Sequence, residues 1–363
     1  MERLVNELAQ ALPSRGVEVH VVVIEGFGRF AAGLQDMARL HQVAPMSRFS
    51  LFYPAELVAV LRGIRPDVVH SHSGVWFKAS RAARLLRVPV TIHTEHGRPV
   101  PDRVRDRLSD NLASRSTDAV IAVSEALADV LRRRVVHDPS RIRLILNGVD
   151  VRRLRPSADR DSLRRELGIP AGSPVIGSVG RLEPVKDYRL ALRAFARLDA
   201  AMEGRPPAFL LLAGDGSQRR ELEELAERCG LASRVKFLGW CDEVERVYGA
   251  FDLFTLTSRS EGTSVSLLEA MSSGLCPVVT DVGGNRAVLG PELSALLVPP
   301  EDEVSLAETW KRYLVDPELR GVMGRRARER VERAFSLDQM VEQHLSLYRS
   351  LLDATLGSLA GAT

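Results

Sequence analysis

Glu261-Gly262-Thr263-Ser264-Val265-Ser266-Leu267-Leu268-Glu269-Ala270-Met271, continued by Ser272-Ser273-Gly274-Leu275-Cys276-Pro277-Val278-Val279, is the stretch around which the rest of the chain is ordered. The apolar run Phe251–Leu256 ahead of it is short and β-prone, and reads as a buried strand. Behind it, Leu267, Leu268, Ala270 and Met271 recur at helical spacing until Gly274, a residue suited to a helix end. Glu261 therefore falls on a strand-to-helix loop, and Glu269 about a turn and a half into the helix. Thr263 and Ser264 stand where hydroxyls cap an N-terminus. Free backbone N–H groups and the positive end of a helix dipole then face whatever occupies the loop. An anion suits that position, and the two carboxylates are placed to accept hydrogen bonds from sugar or ribose hydroxyls. Two glutamates at this spacing also arise by chance, with Glu269 solvated or salt-bridged, so the neighbouring motifs decide.

A chain of 363 residues is long enough for two domains, each with a core of its own. The net charge of +3 is only mildly basic, and the arginines are interleaved with Asp and Glu, which argues against a nucleic-acid partner. Lys78, Arg81, Arg84 and Arg87 form a candidate strip for peripheral contact with anionic lipid, although a solvated helix face explains them as well. Cys229, Cys241 and Cys276 are few, widely spaced and odd in number, which suits a reducing compartment and excludes a disulfide framework. Without a signal-peptide pattern or a membrane-length apolar run, a cytoplasmic protein is expected.

Up to about residue 150, helical and strand patterns alternate. Strands are expected at Val17–Ile24, Val68–His70, Val88–Ile92, Ala119–Val123 and Ile142–Leu146, and helices at Leu4–Leu12, Ala55–Leu61, Trp76–Leu86, Val104–Ser114 and Glu125–Arg134. Asn147-Gly148-Val149-Asp150 interrupts the pattern, and a polar, arginine-rich connector follows to Pro170. The alternation then resumes with strands at Pro174–Val179, Ala208–Ala213, Val235–Leu238, Phe251–Leu256, Cys276–Thr280 and Ala295–Val298. The expectation is an α/β protein of two doubly wound, Rossmann-like domains, residues 1–155 and 156–335. A C-terminal helix over 336–352 packs back on the first. Open α/β sheets bind ligands at their strand C-terminal ends, so the chemistry is sought there.

Strand Pro174–Val179 runs into Gly180-Arg181-Leu182-Glu183-Pro184-Val185-Lys186. The glycine admits a ligand close to the backbone, and Arg181 and Lys186 offer a fork and a point charge for a diphosphate. Gly214-Asp215-Gly216 reads as a tight turn only. Gly26-Phe27-Gly28 is too short for a dinucleotide fingerprint, which disfavours a nicotinamide oxidoreductase. His70, His72, His93 and His96 lie at adjacent strand ends. A metal hydrolase would need a fuller ligand set, so structural filling or hydrogen bonding to a sugar is the simpler reading. Asp159-Arg160-Asp161 has the form of a metal-binding carboxylate pair, but helix-starting carboxylates explain it better. No metal and no cofactor are expected.

Taken jointly, these motifs resemble glycosyltransferase family 4, with its two-domain GT-B fold. The likeness includes Glu261-x7-Glu269, Gly180-Arg181-Leu182-x-Pro184-x-Lys186, Gly214-Asp215-Gly216, Phe237-Leu238-Gly239-Trp240, Val123-Ser124-Glu125, Asn147-Gly148-Val149-Asp150 and the closing Phe335-Ser336 to Tyr348. The resemblance implies two domains facing each other across a cleft. It implies transfer of a sugar from a UDP- or GDP-linked donor, with retention and without a metal, to a polysaccharide, glycolipid or other carbohydrate, lipid-linked or small-molecule acceptor. By the same resemblance Arg181 and Lys186 grip the donor phosphates, with Gly180 beside them. Glu261 meets the donor sugar with backbone N–H groups of Gly262, Thr263 and Ser264, and Glu269 takes the ribose hydroxyls. His96 contacts the sugar near the reacting centre, with His93 as second choice, and the loop at Gly239 and Trp240 meets the base.

Members of that family open with an apolar strand and a Gly-Gly loop, whereas this sequence starts inside what should be the following helix. A missing first strand is therefore expected, through truncation or a start assigned too late. Two alternatives share the architecture: a nucleotide-sugar epimerase or phosphorylase, and a catalytically inactive sugar-nucleotide binder.

Overall fold

The computed structural model describes residues 2–24, 26, 34, 38–44, 53–97, 104–157, 159–202 and 204–360. Phe27 and Gly28, named above, lie outside them. The chain divides into two compact units, 1–147 with 337–363, and 148–336.

In the first unit, α1 (Glu2–Ala11), β1 (His20–Ile24), β2 (Arg39–Val43), α2 (Ala55–Ile64), β3 (Val68–His72) and α3 (Trp76–Leu85) are followed by β4 (Val90–Glu95), α4 (Val104–Ser114), β5 (Ala119–Ala122), α5 (Glu125–Arg134) and β6 (Ile142–Leu144). The described strands form a parallel pair, β1–β2, and a four-stranded parallel sheet in chain order, β3-β4-β5-β6. β4 and β5 are buried along their whole length. Two apolar clusters cover the strands. One joins Val43, Leu57, Val58, Leu61 and Val69 to Ala82 and Ala83, and the other is built around Trp76, Val120, Ala128 and Leu131. Ser124 caps α5 by accepting from the Leu127 amide.

The second unit runs α6 (Asp161–Glu166), β7 (Val175–Val179), α7 (Tyr188–Ala201), β8 (Phe209–Ala213), α8 (Arg219–Arg228), β9 (Val235–Gly239), α9 (Val244–Gly249), β10 (Leu253–Leu256), α10 (Val265–Ser272), β11 (Cys276–Thr280), α11 (Asn285–Leu289), β12 (Leu297–Val298), α12 (Glu303–Val315) and α13 (Pro317–Ala334). Its six strands are all parallel, in the order β12-β11-β10-β7-β8-β9. Phe209-Leu210-Leu211-Leu212-Ala213 is buried throughout, as expected of a strand covered on both faces. The chain travels outward one way from β7 to β9, then returns to β10 beside β7 and continues the other way. The order reverses between β7 and β10, and in such sheets ligands bind outside the strand C-termini at the reversal.

Three sequence expectations need correction. The strand expected from Val17 begins at His20, and β2 was not foreseen, because its Arg39-Leu40-His41-Gln42-Val43 is mostly polar. The boundary lies at 147/148 and not after residue 155. Polar as it is, the connector is pinned into the second unit: Leu154 is 1% exposed, and its carbonyl accepts from Ser272 Oγ at 2.6 Å and from Arg328 at 3.2 Å. The Val149 amide donates to Phe335 O at 2.9 Å, drawing the two ends of this unit together. The helix expected over 336–352 is α14 (Leu337–Ala360), which belongs to the first unit. There Arg15 pairs with Asp338 at 3.0 Å and Glu342 at 2.7 Å.

Candidate active site

At the β7–β10 reversal two loops stand side by side. After β7 the chain passes through Gly180 and the exposed Arg181 into a 3-10 turn, Pro184–Lys186, and then α7. Asp187 joins turn and helix in a left-handed conformation (φ 44°), and its carboxylate accepts from the Leu190 amide. After β10 come Thr257, Ser258 and Arg259, then Glu261–Ser264 leading into α10. Three bonds tie the loops together: Thr257 Oγ1 donates to Lys186 O at 2.9 Å, the Arg259 amide to Val185 O at 2.8 Å, and Arg259 Nε to Asp187 Oδ2 at 2.9 Å.

These ties bring Lys186 onto Glu261. Lys186 Nζ donates to Glu261 Oε1 at 2.5 Å, and Ser258 Oγ donates to the same oxygen at 2.5 Å. Neither Ser258 nor Arg259 was singled out from the sequence. The i−3 spacing of Ser258 from Glu261 was the available signal for the hydroxyl, whereas the Arg259–Asp187 pair joins loops distant in sequence. Gly283 lies against Glu261 from the other side. A Cβ there would sit 1.8 Å from the Glu261 carbonyl oxygen, and φ is +52°, so only glycine fits. The Gly284 amide donates to Gly262 O at 2.9 Å, which fixes the turn.

Ser264 is the N-cap of α10, its hydroxyl accepting from the Leu267 amide. Thr263 was expected to share this role; it is buried beside the cap. Leu267, Leu268 and Met271 are fully buried, each worth about 2 kcal/mol in apolar burial, and they fix the helix so that its N-terminus opens at the loop. On its inner side Glu269 is 2% exposed and accepts from Tyr248 Oη at 2.7 Å. The solvated alternative for Glu269 is thereby removed. Tyr248 comes from α9, where the sequence gave no sign of its partner.

Gly214-Asp215-Gly216, read as a plain turn, supports the arginine loop. A Cβ at Gly214 would lie 2.0 Å from the Gly180 carbonyl oxygen, and φ is +133°. The Leu182 amide donates to Asp215 O at 2.9 Å, and the Gly214 amide to Gly239 O at 2.7 Å. Gly239 and Trp240 thus stand one strand further along the same edge, Trp240 exposed, with its indole N–H on Asp242 at 2.7 Å. Asp159 accepts from the Ser162 amide at 3.0 Å, the helix-starting role expected of it.

In the first unit, β3 and β4 bring the histidines together. His70 bridges Tyr348 Oη on α14 and Thr94 Oγ1, each at 2.7 Å, a structural role. His93 is fully buried, stacked on Trp76 with ring centroids 4.1 Å apart and bonded to Ser71 Oγ at 2.9 Å. A ring so enclosed is out of reach of a ligand, so His93 is not an alternative to His96. His96 Nε2 lies 3.0 Å from His72 Nδ1, and its Nδ1 is buried without a partner among the described residues. Burial pushes His96 down to about 3 and holds His70 and His72 well below the usual imidazole value. All three rings are therefore neutral near neutral pH. His72, Thr94, His96, Asn147 and His344 line a cavity of about 20 Å³, room for about one water and far too small for a sugar. Among the described residues no three His, Cys, Asp or Glu side chains are grouped to hold a metal ion, and no helix is long and apolar enough to cross a membrane.

Comparison with known proteins bears on the whole chain. Residues 159–330 match the family model described as glycosyl transferases group 1, and residues 1–153 match glycosyltransferase family 4. An N-acetyl-D-glucosaminyltransferase acting on 2-deoxystreptamine, from Streptomyces fradiae, is 31% identical over 92% of this chain and 89% of its own. The Escherichia coli α-1,3-galactosyltransferase that uses UDP-Gal and GlcNAc-diphosphoundecaprenol is 26% identical over 96% and 93%. Among solved structures, Anabaena HepE with UDP and glucose superposes with a TM-score of 0.84 at 22% identity, over 96% of this chain and 95% of that one. The two parallel α/β units, matched along nearly their full length, therefore place the chain in glycosyltransferase family 4, as an enzyme with the GT-B fold.

Proposed function

We propose that the enzyme moves a sugar from a nucleotide diphosphate donor to an acceptor hydroxyl, with retention at the anomeric carbon and with protein cations in place of a metal. The observation that carries this reading is the convergence, at the β7–β10 reversal, of Lys186, the Glu261 carboxylate and the N-terminus of α10. A cation and a helix end are what a departing diphosphate needs as its charge builds. Arg181, exposed on the same loop, adds a fork suited to phosphate oxygens. Glu261, with the turn amides of Gly262 to Ser264, takes donor-sugar hydroxyls, and Glu269, held by Tyr248, takes those of the ribose. Gly239 and Trp240 stand towards the base.

In the reaction, the bond between the anomeric carbon and the diphosphate oxygen breaks, and the diphosphate leaves with the electron pair. The acceptor oxygen bonds to the same face of that carbon, and its proton passes to a diphosphate oxygen. UDP is the first nucleotide to try, since relatives use or hold UDP-linked compounds.

The test is a thermal-shift panel of UDP- and GDP-sugars, followed by acceptor-dependent release of the nucleotide and NMR of the product anomer. Lys186→Ala should lower turnover about a hundredfold with a smaller change in donor affinity. An inverted product would remove retention. Donor consumption at full rate without any acceptor would favour an epimerase, and unchanged turnover in Lys186→Ala would remove the site.

A further inference from the structure

The cation read as the diphosphate ligand is paired with a carboxylate of the same site. Lys186 Nζ and Ser258 Oγ both sit on Glu261 Oε1, and the Lys186 and Glu261 side chains are only 17% and 10% exposed. A pair so far withdrawn from water is weakly screened, and separating it leaves a carboxylate short of a partner. The backbones beneath are fixed. Thr257 holds the Lys186 carbonyl, Thr280 Oγ1 holds the Ser258 carbonyl at 2.7 Å, and Gly283 closes against Glu261. A diphosphate therefore gains Lys186 by drawing its side chain off Glu261, not by moving the loops.

We propose that the Lys186–Glu261 pair makes the site select a diphosphate that carries a sugar over one that does not. This rests on the reading of Lys186 as a phosphate ligand. A bare diphosphate offers only acceptors. It takes the lysine, gives the carboxylate nothing in return and adds negative charge beside it. A sugar on the same diphosphate brings hydroxyl donors to Glu261, so the lost ion pair is replaced as it breaks. Ser258 keeps its hydroxyl on Oε1 and holds the carboxylate in place while Lys186 leaves, so Ser258 is a positioning residue. The consequence is kinetic: the spent nucleotide, stripped of its sugar, competes with Glu261 for Lys186 and leaves more readily than the donor arrives.

The experiment is calorimetric titration of the whole chain with inorganic pyrophosphate and with UDP, in a double-mutant cycle. Glu261→Gln, which keeps the shape and removes the charge, should tighten both ligands roughly fivefold when Lys186 is present. It should tighten both clearly less in the Lys186→Ala background, whose own affinity is lower, because only the direct repulsion between anion and carboxylate is then relieved. Glu261→Ala should act in the same direction as Glu261→Gln. No tightening in either Glu261 variant overturns the proposal. Equal tightening with and without Lys186 also overturns it, since any anion near a carboxylate gains when the charge is removed. Should Lys186→Ala bind pyrophosphate as tightly as the wild type, the phosphate-ligand reading falls, and this inference falls with it.

Discussion

Glu261 and Glu269 are held by different means, and the difference governs what substitution should do. Glu261 is mostly withdrawn from water and has two donors on one oxygen, whereas Glu269 is fully enclosed and has the Tyr248 hydroxyl on Oε2. Tyr248→Phe takes a donor from a buried carboxylate, a change worth about 1–3 kcal/mol. The expected outcome is a lower melting temperature together with about fivefold weaker binding of UDP; a variant with wild-type values in both would mean that Glu269 is not held through Tyr248. Gly214→Ala forces a methyl onto the Gly180 carbonyl at a backbone angle that L residues avoid. It should cost roughly 1–3 kcal/mol in thermal unfolding and lower transfer as well, through the displaced arginine loop. The two glutamates and two cations were legible because local patterns, a strand end and a helix start, fix where they lie. Tyr248 escaped notice, and Gly214 was read only as a turn, because their partners come from elsewhere in the fold, whereas Ser258 was overlooked although its partner lies three residues away. Tyr248 is 21 residues from Glu269, and no periodicity links them.

Among the elements, β3, β4 and α14 gather His70, His72, His96 and His344, whose pKa values burial holds below the ordinary 6.5. The sign follows from linkage. Below 6.5 the unfolded chain takes up protons that the folded one refuses, so the stability these rings allow is present above 6.5 and lost as pH falls. Calorimetric melting of the first unit should be level from about pH 8 to 7 and decline towards about pH 5, before carboxylates titrate. His72→Asn should flatten that slope, and an unchanged slope would assign it to other groups. At the start of α10, Ser264→Ala removes the cap and should cost about 1 kcal/mol of thermal stability. Element type was legible wherever apolar periodicity was strong, as in β7, β8, β11 and α5. It failed at β2, whose polar residues carry no alternation to read.

At the scale of the whole chain, the division into two α/β units was legible from the repeated alternation of strand and helix patterns. The break in pattern at Asn147–Asp150 coincides with the division at 147/148, and the first domain was carried on to residue 155 only because Leu154 anchors a segment that reads as linker. The second unit has its own six-stranded sheet and a continuous sequence, 148–336, closed by the Val149–Phe335 bond. Expressed alone, this segment should fold and bind pyrophosphate; an unfolded fragment by circular dichroism would show that it depends on the first unit. The first unit has no such independence, since α14 reaches His70 through Tyr348 across 278 residues. A ribosome working from the N-terminus thus begins that unit early and supplies its last helix late. For most of synthesis the nascent β3–β4 surface waits uncovered while the later segment matures ahead of it. A premature stop just short of Tyr348 would then spare the younger domain and strand the older one, the reverse of what a C-terminal lesion usually does.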